Sequence, residues 1–283
     1  MTSPRALLQS FNLRANKRLG QHFLADPAAA EMIVQAAGIS SRDVVLEIGA
    51  GLGALTFPLA RQAARLFTVE KDTRLADLLR AKIDAGGQAN VVVIEQDILR
   101  VDIEALAAEA GGQLVVIGNL PYNISSQILI GLISARHAVQ RAVLMFQSEL
   151  AQRLTAGPGG RDYGRLTVMI QYCAEIEDVG RVAANKFFPR PKVDSSVLSI
   201  FFKSASPLSA PAEVFFFKVV RAAFGRRRKK LYNSLAGSDL GVSADEARQA
   251  IEQAGIDPSR RAETLAVGEF LALSASLQES RPG

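Results

Sequence analysis

Five apolar runs of strand length, at residues 44–48, 65–69, 91–94, 114–117 and 142–146, punctuate the first half of the chain. Between them lie stretches with helical spacing, such as the one that puts Leu75, Leu78, Leu79 and Ile83 on one face. Runs like Val44-Val45-Leu46 are apolar at consecutive positions, so both faces of the strand need cover. Strands of this kind separated by helices predict a parallel sheet covered on both sides. Right-handed crossovers make it an open, doubly wound α/β fold. Residues 193–202 form a further long strand pattern, expected antiparallel at the end of the sheet. Residues 204–211, with two prolines, read as a linker. Beyond it, residues 213–235, 244–254 and 267–276 have helical patterns. The expected organisation is an α/β domain over 1–204 and a small helical domain over 205–283, with the glycine-rich residues 157–160 a loop rather than a boundary.

The chain has 283 residues, 48% hydrophobic and 22% charged, which suits a folded protein with a sizeable core. No run approaches the roughly 18 apolar residues of a membrane span, so no membrane partner is expected. The single cysteine, Cys173, excludes an intrachain disulfide and suggests a reducing, cytoplasmic setting. With His22 and His137 far apart, no typical structural zinc site can be assembled, and nothing argues for a carboxylate-built one. Charge is unevenly placed. Residues 181–230 hold twelve Lys or Arg against Asp194 and Glu213, a balance of +10; the whole chain is +5, so the remainder sums to −5. Arg5, Arg14, Lys17 and Arg18 precede the first acid, Asp26. A solvated basic face is the plain reading. Concentration into two segments favours a polyanionic partner.

The first strand pattern runs into Gly49-Ala50-Gly51-Leu52-Gly53, where glycines permit a sharp turn and close approach of a ligand. Glu70 ends the second strand, where its carboxylate can accept both hydroxyls of a ribose; Asp97 follows the third, where it can meet an adenine amine. Two other readings compete: a tight turn and nothing more, or a dinucleotide dehydrogenase, whose G-x-G-x-x-G/A pattern Gly49, Gly51 and Ala54 satisfy. A dehydrogenase also needs a hydride-acceptor site, and no His or Tyr-Lys pair stands out.

Asn119-Leu120-Pro121-Tyr122 follows the fourth strand. The N6 lone pair of adenine is delocalised into the ring, so acceptors on its two N–H groups would sharpen its nucleophilicity. Asn119 offers a side-chain oxygen, and the Leu120 or Pro121 carbonyl a second acceptor. Pro121 restricts the backbone around them, and Tyr122 gives an extruded base a flat face. Alone, the tetrapeptide reads equally well as a strand-ending turn; its place on the same sheet edge as Gly49, Glu70 and Asp97 favours a site. Methyl transfer from a sulfonium rests on alignment and requires no general base, so neither Glu149 nor Asp162 is given that role.

Across nearly its whole length the chain resembles the ribosomal RNA small-subunit adenine dimethyltransferases, the KsgA family. Lys17-Arg18-Leu19-Gly20-Gln21-His22-Phe23-Leu24 is similar to the cofactor-covering segment (residues 1–24), followed in family order by Leu46-Glu47-Ile48-Gly49-Ala50-Gly51, Val69-Glu70, Gln96-Asp97 and Asn119-Leu120-Pro121-Tyr122-Asn123. Phe187-Phe188-Pro189-Arg190-Pro191-Lys192-Val193-Asp194-Ser195 resembles the signature F-x-P-x-P-K-V-D-S, and Gly225-Arg226-Arg227-Arg228-Lys229-Lys230 a basic helix. The resemblance implies a Rossmann-like class I methyltransferase sheet and S-adenosylmethionine as donor, with S-adenosylhomocysteine as product. It implies cofactor contacts from His22, Leu24, Gly49, Gly51, Glu70, Asp97 and Asn119, and a base held by Asn119, Leu120, Pro121 and Tyr122 with Phe187 stacked opposite Tyr122. Read from the residues alone, one of Phe187 and Phe188 belongs to the site and the other to the core. His22, often Asn in the family, is a departure. Arg226, Arg227, Arg228, Lys229 and Lys230 would grip phosphates of small-subunit rRNA, in a 30S particle or its precursor.

The expected activity is dimethylation of two adjacent adenosines near the 3′ end of 16S rRNA, by a monomer without metal. The alternatives are a large-subunit rRNA adenine methyltransferase of the antibiotic-resistance type and an assembly factor acting by binding alone.

Overall fold

The structure, a computed structural model of the chain, describes residues 3–226 and 228–280. It contains nine strands among the described residues: β1 (Phe23–Leu24), β2 (Val44–Ile48), β3 (Arg65–Glu70), β4 (Val91–Glu95), β5 (Leu114–Asn119), β6 (Val139–Gln147), β7 (Ala174–Val182), β8 (Phe187–Phe188) and β9 (Ser195–Phe202). Seven form one sheet in the order β4-β3-β2-β5-β6-β9-β7, and β1 pairs antiparallel with β8. The strands from β4 to β6 run parallel, as their apolar runs predict, and β9 is antiparallel to β6.

Period-two alternation explains why both faces are buried. Val45, Val115, Ile117, Val143 and Met145 pack with Ile33, Val34 and Ala37 of the helix Pro27–Ala37 and with Leu59. The intervening Leu46, Val116 and Leu144 face the other way and are equally buried. Helix Thr73–Gly86 realises the apolar stripe of Leu75, Leu78, Leu79 and Ile83, and the Asp72 carboxylate caps its start by accepting from Arg74 N.

The chain divides into two compact units, one comprising the residues up to Ala151 with Glu175–Phe202, the other Gln152–Ala174 with the residues from Lys203 on. The second unit thus includes helix Arg165–Cys173, which precedes the last two long strands in sequence. Its Tyr172 packs on Phe216, with ring centroids 4.6 Å apart, and donates to Glu213.

Three local expectations are corrected. Antiparallel β9 is not the sheet's edge: β7 lies outside it, its many charged residues having hidden its strand character. The helix expected from Glu213 starts at Ala210, because Pro211 needs no hydrogen-bond donor in a first turn. It ends at Ala223, and a separate helix spans Leu231–Ala236. The intervening cations Arg226, Arg228, Lys229 and Lys230 therefore occupy an exposed turn rather than a helix; Arg227 lies outside the described residues. Gly225 and a run of like charges both weigh against helical continuation there.

Candidate functional site

Strand order reverses around β2: β3 and β4 lie on one side of it, β5 and β6 on the other. Such a switch point leaves a crevice at the carboxyl ends of the strands. Register aligns those ends, with Ile48 beside Val69 and Gly118, Glu70 beside Glu95, and Asn119 beside Met145. The sequence-predicted residues are brought together by that register. A cleft is lined by His22, Leu24, Gly49, Gly51, Glu70, Asp97, Asn119, Leu120, Pro121 and Tyr122. Glu47, Lys71 and Gln21 line it as well.

The glycine turn is held at both ends. Gly49 and Gly51 take left-handed φ of 75° and 55°, where a side chain would be strained. Gly49 N donates to Val69 O at 2.9 Å, and Gly51 N donates to Glu70 Oε2 at 2.8 Å. The second oxygen of Glu70 accepts from Asp72 N at 2.9 Å. Glu70 thus joins the turn to the next loop while keeping lone pairs for a ligand. Burial pushes its carboxyl up, and the backbone donors Asp72 and Gly51 oppose that shift. Asp97 accepts from Lys71 Nζ at 2.6 Å and from Leu99 N at 3.1 Å. The Lys71 ammonium holds its carboxyl below the usual range. A further strand-end glycine, Gly118, lets β5 approach β2 closely, since a Cβ there would lie 2.8 Å from Ile48 O.

Glu47 was not singled out from the sequence, because a charged residue inside an apolar run carries no chemical signal of its own. It is fully buried beneath the turn, and its Oε2 accepts from Thr56 Oγ1 and Thr68 Oγ1, each at 2.7 Å. Burial raises its pKa to about 7. It fastens β2, β3 and the helix after the turn to one another.

On the other side of the cleft, Asn119 Nδ2 donates to His22 O at 2.9 Å, which turns Oδ1 toward other donors. The His22 ring stacks on Tyr122, centroids 5.4 Å apart and planes at 24°. Its Nδ1 donates to Pro189 O at 2.7 Å, because a carbonyl can only accept. Tyr122 Oη and Ser195 Oγ share a hydrogen bond of 2.7 Å, and burial pushes the phenol up, so it stays protonated. Asp72 accepts from Gln21 Nε2 at 3.2 Å, tying down the segment before His22.

Phe187 does not join this group. It is 4% exposed and packs in the core with Leu24, Ile33 and Val197, whereas Phe188 is partly exposed beside Phe23 and Leu52. Antiparallel pairing of β1 with β8 sends successive side chains to opposite faces, and Phe187 takes the inward one. The basic turn lies in the other compact unit. Among the described residues no cluster of His, Cys, Asp and Glu suits a metal, and no helix is long and apolar enough to cross a membrane.

One carboxylate at the end of β3, Glu70, and one just beyond β4, Asp97, line the cleft beside the glycine turn, a chemistry that fits the hydroxyls and amine of an adenosine carrying a sulfonium. The model of the family described as ribosomal RNA adenine dimethylase matches residues 12–279. The ribosomal RNA small subunit methyltransferase A of Desulforapulum autotrophicum is 52% identical over 277 residues, covering 98% of this chain and 97% of that protein. The one from Magnetococcus marinus is 42% identical, covering 95% and 94%. Among solved structures, a dimethyladenosine transferase from Plasmodium falciparum superposes with a TM-score of 0.74 at 29% identity, covering 89% of this chain and 96% of that one. The 23S rRNA methyltransferase ErmE superposes with a TM-score of 0.69 at 27% identity, covering 90% and 99%. With a Rossmann-like methyltransferase sheet, the strand-end cleft and a family match spanning nearly every residue, the chain belongs to the ribosomal RNA adenine dimethylase family.

Proposed function

We propose that the chain transfers methyl groups from S-adenosylmethionine to N6 of two adjacent adenosines near the 3′ end of 16S rRNA, acting as a monomer on a 30S particle or its precursor during ribosome biogenesis. The observation carrying this reading is the meeting of Asn119-Leu120-Pro121-Tyr122 with the Gly49 turn, where a Cβ on Gly49 would stand 3.5 Å from Asn119 O. Donor and acceptor sites that close need no relay between them.

When bound, S-adenosylmethionine supplies an electrophilic methyl carbon. Glu70 would accept the ribose hydroxyls and Asp97 the adenine amine, while His22, Leu24, Gly49 and Gly51 would enclose the remainder. Asn119 Oδ1 accepts one N6–H of the target base. Pro121 O already accepts from Ile124 N at 3.2 Å, which favours the Leu120 carbonyl as the second acceptor. With both N–H groups held, the target nitrogen presents its lone pair, forms the new N–C bond as the S–C bond breaks, and loses its proton to water. Stacking on Tyr122 offsets the cost of extruding the base, about 1–3 kcal/mol against a few. The exposed cations Arg226, Arg228, Lys229 and Lys230 of the second unit would hold phosphates, giving affinity without naming a base.

Incubating the protein with methyl-labelled S-adenosylmethionine and undermethylated 30S particles, then digesting the RNA to nucleosides, tests the reading. Label in N6,N6-dimethyladenosine near the 3′ end is expected. Label in large-subunit RNA or on another base contradicts it, and binding without transfer favours an assembly factor.

A further inference from the structure

Tyr122 is held at both ends. Its carbonyl accepts from Ser125 Oγ at 3.1 Å in the turn after β5, and the far end of its ring shares a hydrogen bond of 2.7 Å with Ser195 Oγ, 73 residues further along the chain. Ser195 opens β9 and is completely buried. It sits opposite Gln147 at the end of β6, and β6 in turn sets Met145 beside Asn119 at the end of β5. The anchor of the ring thus belongs to the sheet itself, two strands from the one that ends in Asn119. We infer that Ser195 is a positioning residue for the target base: its hydroxyl fixes the swing of the Tyr122 ring on which an extruded adenine stacks. Ser195 does not line the cleft, so it acts through Tyr122 and touches neither cofactor nor base.

A serine brings little to the strand it opens. Val197, Leu198 and Ile200 of the same strand fill the core, and branched or aromatic residues suit such positions better. A buried hydroxyl costs free energy unless it is paired, and here the phenol of Tyr122 pairs it. The partner gains more than satisfaction of a lone polar group. A tyrosine ring hinges at its own backbone, which the turn after β5 holds, and its free end can sweep across the cleft. Oη is the atom farthest from that hinge, so a bond there resists the sweep with the greatest leverage. Mounting the bond on a strand rather than on a loop keeps its other end still. The inference rests on the reading of Tyr122 as the platform for the target base.

The experiment compares wild type with Ser195→Ala, Tyr122→Phe and the double variant, measuring kcat and KM for methyl transfer to 30S particles, S-adenosylhomocysteine Kd by calorimetry, and Tm. Ser195→Ala leaves the phenol without its partner and free to swing toward another. Its kcat should fall about 10-fold, less than the about 10²-fold that a full ångström of misplacement can cost, while cofactor Kd moves less than about twofold. Tyr122→Phe keeps the ring and should lose about fivefold, the equivalent of one neutral hydrogen bond. The double variant should be no slower than Ser195→Ala, because an apolar pair leaves no hydroxyl to satisfy. Losses that multiply in the double variant overturn the inference. Wild-type kcat in either single variant does the same, as does cofactor affinity falling in step with kcat in Ser195→Ala. Should Ser195→Ala fail to fold, the kcat of Tyr122→Phe decides by itself. If wild type puts no label on adenine, the reading of Tyr122 fails and the inference falls with it; label from wild type together with multiplying losses sinks the inference alone.

Discussion

On the proposed cofactor side of the cleft, Glu70 and the Gly49–Gly51 turn follow from adjacent strands of one sheet, and a backbone-to-carboxylate bond of 2.8 Å joins them. On the proposed base side, Asn119 and Tyr122 share the stretch that ends β5, whereas His22 comes from the segment before β1, and the bond that anchors His22 to Pro189 spans 167 residues of chain. The first half is fixed as soon as β2 and β3 pair. The second exists only when the segment before Phe23 and the loop before β9 have both docked. Changes on the cofactor side should therefore appear as affinity, and changes on the base side as rate.

The largest expected effect lies on the base side. Asn119→Ala removes an acceptor aimed at the developing charge on N6, and kcat should fall about 10²- to 10³-fold. Cofactor Kd, read by calorimetry, should shift by far less; an equal loss in both would erase the distinction between the halves. Next, Glu70→Gln sets an amide NH2 against the backbone donors of Gly51 or Asp72. Losing hydrogen bonds to a charged group, about 1.5–3 kcal/mol, corresponds to a cofactor Kd about 10- to 150-fold weaker. A rate loss at saturating cofactor without weaker binding would contradict this assignment.

Neutralising Arg228, Lys229 and Lys230 together should reduce particle affinity and flatten its salt dependence, by about 0.7–0.9 in log–log slope for each phosphate that the protein no longer neutralises. An unchanged slope would remove the basic turn from the RNA interface. The smallest effect is on stability. Burial raises Glu47 to about 7, so its favourable contribution is complete below the ordinary carboxylate range and is lost as pH rises through about 7. Glu47→Gln cannot ionise, and its Tm should decline less than that of wild type between pH 5 and pH 8 on the scale of ordinary ionisation ranges. Parallel Tm curves would show that Glu47 does not titrate in this window.

The same contrast explains what the sequence could show. Val44-Val45-Leu46 followed by Gly49 carries its strand, turn and ligand loop in one contiguous stretch, and β2 lies where that pattern puts it. The places of Glu70, Asp97 and Asn119 were legible because Glu70 and Asn119 end strands and Asp97 follows one, and parallel register then brings strand ends to one edge. β7 was not legible. Glu175, Glu177, Asp178 and Arg181 give it the charged surface of an edge strand, which blunts strand character as it prevents aggregation. The inward position of Phe187 depends on pairing with Leu24, a contact no local pattern encodes. The stack of His22 on Tyr122 is of the same kind: the resemblance implied a cofactor contact for His22, and no local pattern encodes the ring contact that docking of its segment makes.

A crystal structure with S-adenosylhomocysteine and an adenosine nucleotide bound together tests the division of the cleft most directly. The ribose hydroxyls should lie about 2.6–3.2 Å from the Glu70 carboxylate, with the purine N6 at the same distance from Asn119 Oδ1 and its ring against Tyr122. A nucleotide seated away from Asn119, or a cofactor ribose that does not touch Glu70, would contradict the account.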